Sequence, residues 1–203
     1  MAGRPLALDW MHRNIPAILN TWHLGTMAGP AIAATLFGDN NPSGKLTMTF
    51  PYNVGQVPIH YDMKNTGRPF EADNKYTTKY LDVPNEPLYA FGHGLSYSKF
   101  EYDDLRLSTP QLTMDDELKI EVKVTNTSDR AGEEVVQLYI RDMVGSVTRP
   151  VKQLKGFEKV LIQPGESKNI SFSLTSEDLK FYTRKMTYEA EPGDFQVFVG
   201  SSS

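Results

Sequence analysis

The chain has 203 residues, 21 Lys and Arg against 25 Asp and Glu, a net charge of −4 and no Cys. That length holds one or two domains and excludes a complete (β/α)₈ barrel, which needs about 250 residues. The missing Cys excludes disulfides, a thiol nucleophile and thiolate metal sites, and scattered charge with a slight acidic excess argues against a nucleic-acid partner, which would call for a basic stripe.

A hydrophobic share of 39% with 10 Phe and 10 Tyr is enough for packed cores. Met1–Trp10 holds one Arg and no apolar segment, so it does not read as a signal peptide. No run approaches the ~20 apolar residues of a membrane span.

Along the first half, Pro5–Leu8 and Ala17–Trp22 read as short strands. Thr26–Phe37 reads as an uncharged helix with Thr26 as its N-cap and Gly38 as its stop. Apolar residues occupy most of its circumference, so burial on more than one side is expected. Gly38–Gly44 is a loop, and Lys45–Phe50 alternates as a strand with Leu46, Met48 and Phe50 on one face. Strand, helix and strand at this spacing form a βαβ unit of a parallel sheet. Residues 51–96 are irregular, with Pro51, Pro58, Pro69, Pro84 and Pro87. A connection this long is more often functional or covering than idle.

The second half alternates cleanly. Leu118, Ile120, Val122 and Val124 share a face, as do Val136, Leu138 and Ile140, then Ile170, Phe172 and Leu174, then Phe195, Val197 and Val199. Phe100 and Tyr102 are in phase while Leu105 and Leu107 are one residue out, which a bulge near Asp103-Asp104 repairs. Thr175-Ser176-Glu177-Asp178 has capping-box spacing, so one helical turn is expected before Phe181. Short strands with one apolar face, separated by turn signals, make a sandwich of two antiparallel sheets. Its outward positions are mostly Lys, Glu, Ser and Gln, with Tyr139 and Phe198 as exceptions.

Few residues announce chemistry. His12, His23, His60 and His93 have no ligand spacing, so no metal site and no cofactor are expected. Gly94-Leu95-Ser96-Tyr97-Ser98 lacks the second Gly of a nucleophile elbow and leads into β structure. Asn126-Thr127-Ser128 and Asn169-Ile170-Ser171 match the glycosylation acceptor, the second within an expected strand. Asp9, Asp39, Asp62, Glu71, Asp73, Asp103, Asp104, Glu133 and Glu134 read as exposed solubilising charge. Arg141–Pro150 is a ten-residue connection with Arg141, Asp142 and Arg149, read as a sandwich loop or a binding loop. No residue is assigned a catalytic role, and the substrate-binding residues stay open.

Longer motifs carry a resemblance. They include Gly3-Arg4-Pro5-Leu6, Ile18-Leu19-Asn20-Thr21-Trp22, Ala34 through Leu46 with its Gly38-Asp39-Asn40-Asn41-Pro42-Ser43-Gly44 loop, and Asn65-Thr66-Gly67-Arg68-Pro69. Phe91-Gly92-His93-Gly94-Leu95-Ser96-Tyr97 and Arg149-Pro150-Val151 through Phe157 follow. In this order they resemble the C-terminal part of glycoside hydrolase family 3, most of all its exported, periplasmic β-glucosidases of bacteria. The resemblance implies α/β plus all-β structure: an incomplete α/β sandwich domain over 1–96, then a fibronectin type III-like (immunoglobulin-like) β-sandwich over 97–203. Relatives usually continue past Val199-Gly200-Ser201 with one more strand, which leaves room for a missing last strand.

The family's retaining mechanism uses an Asp on a (β/α)₈ barrel and a Glu acid/base upstream of Gly3, so neither role transfers to a residue here. The resemblance therefore implies a supporting portion of an enzyme that removes terminal β-D-glucosyl residues from oligosaccharides, inactive alone. Its implied partners are the barrel and the first part of the α/β domain. With those first strands absent, helix 26–37 is bared, and self-association through the truncated sheet is expected. Where many relatives have Glu in the segment after the Trp, this chain has Met27. Loops 62–75 and 141–150 are the candidates for facing the active-site mouth. The competing reading is a stand-alone non-catalytic carbohydrate-binding or interaction module.

Overall fold

The computed structural model describes residues 1–203. The clearest order lies where the two-residue period is cleanest. Strand β1 spans Phe100–Leu107, β2 Glu117–Asn126, β3 Gly132–Asp142, β4 Gln153–Ile162, β5 Ser167–Thr175, β6 Phe181–Tyr182, β7 Tyr188–Glu189 and β8 Phe195–Gly200. They form two three-stranded antiparallel sheets, β1-β2-β5 and β4-β3-β8, with β6-β7 as a small separate pair.

The inner faces supply the core. Leu118 and Ile120 of β2 and Leu174 of β5 meet Leu138 and Ile140 of β3; further along, Val122, Val124 and Ile170 meet Val136 and Ile162. Each such side chain contributes about 1.5–3 kcal/mol on burial. On β2 every second residue is buried and the residues between are outward, as the alternation requires.

Two irregular features were legible. The β1–β2 register jumps between Asp103 and Arg106, and Asp104 has φ +58°, a left-handed conformation that Asp tolerates. This is the expected bulge, and it brings Leu105 and Leu107 back into phase with the partner strand. The Thr175 hydroxyl and Asp178 carboxylate form a capping box on the single turn α3, Ser176–Leu179, with Thr175 N–H donating to Asp178 Oδ2 at 2.8 Å.

The first half departs from expectation. Only helices α1 (Asp9–Asn14) and α2 (Ala28–Phe37) and a 3₁₀ turn at Val54–Gln56 are regular. Pro5–Leu8, Ala17–Trp22 and Lys45–Phe50 are not strands; the last is reduced to a single bridge from Phe50 to Tyr89. An extended segment becomes a strand only beside a neighbour that satisfies its backbone; residues 88–93 do so for Lys45–Phe50 at Leu46 and Phe50 alone, and the bend at Thr47-Met48 breaks the pairing between them. Helix α2 ends at Gly38 with φ +86°, as expected, but Met27 rather than Thr26 is its N-cap. None of its residues is buried; Leu36 is 62% and Phe37 84% exposed. The expectation of burial on several sides fails because no element of this chain packs over that face.

Strand β3 shows what the first half does cover. Residues 136–140 are buried on both faces. The outward-facing Tyr139 is 1% exposed because Tyr61 packs edge-on against it, and Tyr61 in turn stacks on Phe91 at 4.3 Å. Its hydroxyl donates to Gln137 Oε1. One of the two outward aromatics is therefore part of a junction rather than an open platform.

Candidate functional site

Two sites emerge where the halves of the chain meet. The first is built by the Asn40–Lys45 loop and the Phe91–Ser98 segment against β1 and the start of β3. Asn41 uses its whole carboxamide there. Its Nδ2 donates to Ser98 Oγ at 2.8 Å and to Ala131 O at 2.9 Å. Its Oδ1 accepts from Ser96 Oγ and from Tyr97 N–H, both at 2.9 Å. Beside it, Lys45 Nζ lies 3.2 Å from both Glu134 oxygens and 3.0 Å from Gly94 O. The Tyr102 hydroxyl donates to Glu134 Oε1 at 2.8 Å, and burial, then the Glu134 charge, pushes its ionisation far above the usual range. The Lys45 and Glu134 side chains are only 11% and 4% exposed.

Glu134 is thus a correction, since the sequence reading made it solubilising surface. Its neighbour Glu133 sits near the surface, bound by Lys159 Nζ at 2.7 Å and Ser43 Oγ at 2.9 Å, and those hydrogen bonds hold its carboxyl below the usual range. Both carboxylates are engaged in holding the halves together. Ser96, of the rejected elbow, spends its hydroxyl on Asn41. Asn126 is fully buried and donates to Arg130 O and Ile162 O, so it is no glycosylation acceptor, whereas Asn169 lies on the outward side of β5.

Two of the four His share one partner. His12 Nδ1 is 3.0 Å from the Tyr89 hydroxyl, and His93 stacks on the Tyr89 ring at 5.3 Å. Burial and the nearby Lys45 charge lower the His93 pKa from 6.5. The unfolded chain therefore takes up this proton first. The stabilising contribution is fully present above about pH 6.5 and is lost as pH falls from there through the lower folded value. Urea unfolding between about pH 7 and about pH 5 is expected to show that fall, and His93→Gln to flatten it.

The second site joins the two loops singled out from sequence. Lys64 bridges Pro150, and Val151 N–H donates to Met63 O at 2.8 Å. A solvent-open cavity of about 420 Å³ lies between them, lined by Asn65, Arg141, Asp142, Ser146, Thr148 and Arg149 among others. Arg149 Nε approaches Asp142 Oδ2 at 3.2 Å, its Nη2 donates to Gln153 Oε1 at 3.1 Å, and its guanidinium lies 3.8 Å from the Phe181 ring centre. Ser146 N–H donates to Glu191 Oε2 at 2.7 Å; the Ser146 hydroxyl first and this N–H second hold the Glu191 carboxyl below its usual range. Sequence reasoning found both loops. It missed the Lys45–Glu134–Tyr102 cluster and Gln137, for which there was no signal beyond the loop motif containing Lys45.

The comparisons with known proteins follow the same division. Residues 1–97 match the glycosyl hydrolase family 3 C-terminal domain, and residues 134–203 a fibronectin type III-like domain. The chain belongs to glycosyl hydrolase family 3. It is 52% identical over its full length to a periplasmic β-glucosidase of Salmonella typhimurium, matching 27% of that protein. A β-xylosidase of Formosa agariphila is 43% identical over 99% of the chain, again 27% of its own length. A crystal structure of a β-glucosidase from Listeria innocua with glucose superposes with a TM-score of 0.93 at 46% identity, covering 98% of this chain and 28% of that one. The chain therefore spans about a quarter of the length of the curated relatives it matches. Family 3 motifs quoted from the sequence, the Asn41–Lys45 loop and the Phe91–Tyr97 segment, fall in the junction between the halves.

Proposed function

We propose that this chain is the C-terminal portion of a retaining family 3 β-glucosidase acting on terminal β-D-glucosyl residues of oligosaccharides or glycosides. Residues 1–96 are the end of its α/β sandwich domain and residues 97–203 its fibronectin type III-like domain. The observation that carries this is the full-length likeness to a periplasmic β-glucosidase of which the chain matches 27%. An exported, periplasmic parent enzyme follows from the same likeness. No helix of the chain is long and apolar enough to cross a membrane.

The role we assign is mechanical. Retention needs two carboxyl groups about 5–5.5 Å apart across the scissile bond. Here Glu133 and Glu134 are committed to Lys159, Ser43, Lys45 and Tyr102. The nucleophile and acid/base then belong to preceding segments of the parent, a barrel and the first part of the α/β domain. The Lys45–Glu134 junction transmits the rigidity of the β-sandwich to the α/β portion that contacts them. The sugar is selected outside this region, since a β-xylosidase shares it at 43% identity.

Hydrolysis of an aryl β-glucoside tests the reading. The 203-residue chain alone is expected to be inactive, and mixing with the upstream portion of a close relative to restore activity; activity in the chain alone would overturn it. The preceding segments also cover α2 in this reading. Without them, Met27, Leu36 and Phe37 are exposed and drive self-association. Light scattering is expected to find oligomers that the double substitution Leu36→Lys, Phe37→Lys disperses.

A further inference from the structure

The cavity between loops 62–75 and 141–150 holds polar groups that the protein leaves without partners. The Asp142 side chain is only 4% exposed, yet no protein group donates a hydrogen bond to its carboxylate, which opens onto the cavity. Arg149 Nε lies 3.2 Å from Oδ2 without hydrogen-bond geometry and has no other partner. Buried carboxylates ordinarily accept several hydrogen bonds, so one left bare at the floor of an open cavity is the exception that calls for a ligand.

The remaining groups suit one class of ligand. Asn65 reaches the cavity from the opposite loop with its carboxamide unengaged. Ser146 Oγ accepts from Arg184 N–H and turns its own hydroxyl toward the Glu191 carboxylate, while the Thr148 hydroxyl has no partner. The Asp142 charge is offset by Arg149, so the floor attracts neither a bare cation nor an anion. Planar carboxylate and carboxamide groups facing hydroxyls across about 420 Å³, within the range of small-molecule sites, match a neutral ring bearing adjacent hydroxyls.

We propose that this cavity is a saccharide-binding site, with ligand hydroxyls donating to Asp142 and accepting from Asn65 and Arg141. It lies between two loops from opposite halves, so an occupant ties those loops together. The site does not depend on the catalytic reading, because binding is measured without turnover.

The test is a titration of the isotope-labelled 203-residue chain with cellobiose and with laminaribiose, followed by NMR. Saturable shifts are expected at the Asn65 side-chain amide and at the Gly145, Ser146 and Thr148 backbone amides. Asp142→Asn is expected to weaken binding about tenfold or more, and Asn65→Ala about fivefold. Asn65 is exposed and makes no hydrogen bond through its side chain, so its variant keeps the test valid if Asp142→Asn fails to fold. No saturable shift, shifts elsewhere, or unchanged affinity in Asn65→Ala would overturn the proposal. So would tighter binding of glucuronate than of either disaccharide, which would make this an anion site. Failure here leaves the hydrolysis experiment untouched, and failure there leaves this titration untouched.

Discussion

Replacing Lys45 with Met is expected to remove about 3–5 kcal/mol from the stability of the chain in urea unfolding. Lys45 is the only cation against the Glu134 carboxylate, and both side chains are almost entirely out of water. Removing the ammonium strands a buried charge that the Tyr102 hydroxyl alone cannot satisfy. The loss comes from the orphaned carboxylate, not from the modest net worth of the pair. Adding Glu134→Gln to Lys45→Met should therefore recover a large part of it. Lys159→Met provides the contrast, since that ammonium meets Glu133 at the solvent-screened surface and its loss should leave the urea midpoint almost unchanged. Equal losses in the two single variants would contradict the junction as described.

The second large effect is expected at Gly92. Its φ is +80°, and a Cβ placed there would lie 2.1 Å from Gln137 Oε1. Gly92→Ala combines left-handed strain of about 1–2 kcal/mol with overpacking of about 1–3 kcal/mol. Gln137 is not free to retreat. Its Nε2 donates to Gly92 O at 3.2 Å and to Ser201 O at 2.7 Å, and its Oε1 accepts from Tyr139. The expected total is about 2–5 kcal/mol, read from the urea midpoint. The double variant Gly92→Ala, Gln137→Ala removes the clash but adds the loss of those bonds, so it should not return to wild-type stability.

These two positions share a property that explains how they were missed. By its neighbours in sequence Lys45 starts an alternating strand and Glu134 is surface charge. Their partners lie 89 residues apart. Gln137 and Gly92 are likewise 45 residues apart. No local period reports such a meeting. The loops 62–75 and 141–150 were found because length and polarity are visible locally, but their joining through Lys64 and Pro150 was not.

Sequence alone determined the β-sandwich in detail: the alternation of β2, β3, β5 and β8, the bulge at Asp103-Asp104 and the capping box at Thr175. All three are short-range consequences of side-chain direction and local hydrogen bonding. Family motifs determined the kinship. Only the tertiary structure decided which expected elements exist and what they face. Lys45–Phe50 has a strand's pattern but pairs with residues 88–93 only at Leu46 and Phe50, and α2 has a buried helix's composition but an open surface. Strand pairing and helix burial are properties of two segments brought together, and a one-dimensional pattern specifies the willing face without supplying the surface that meets it.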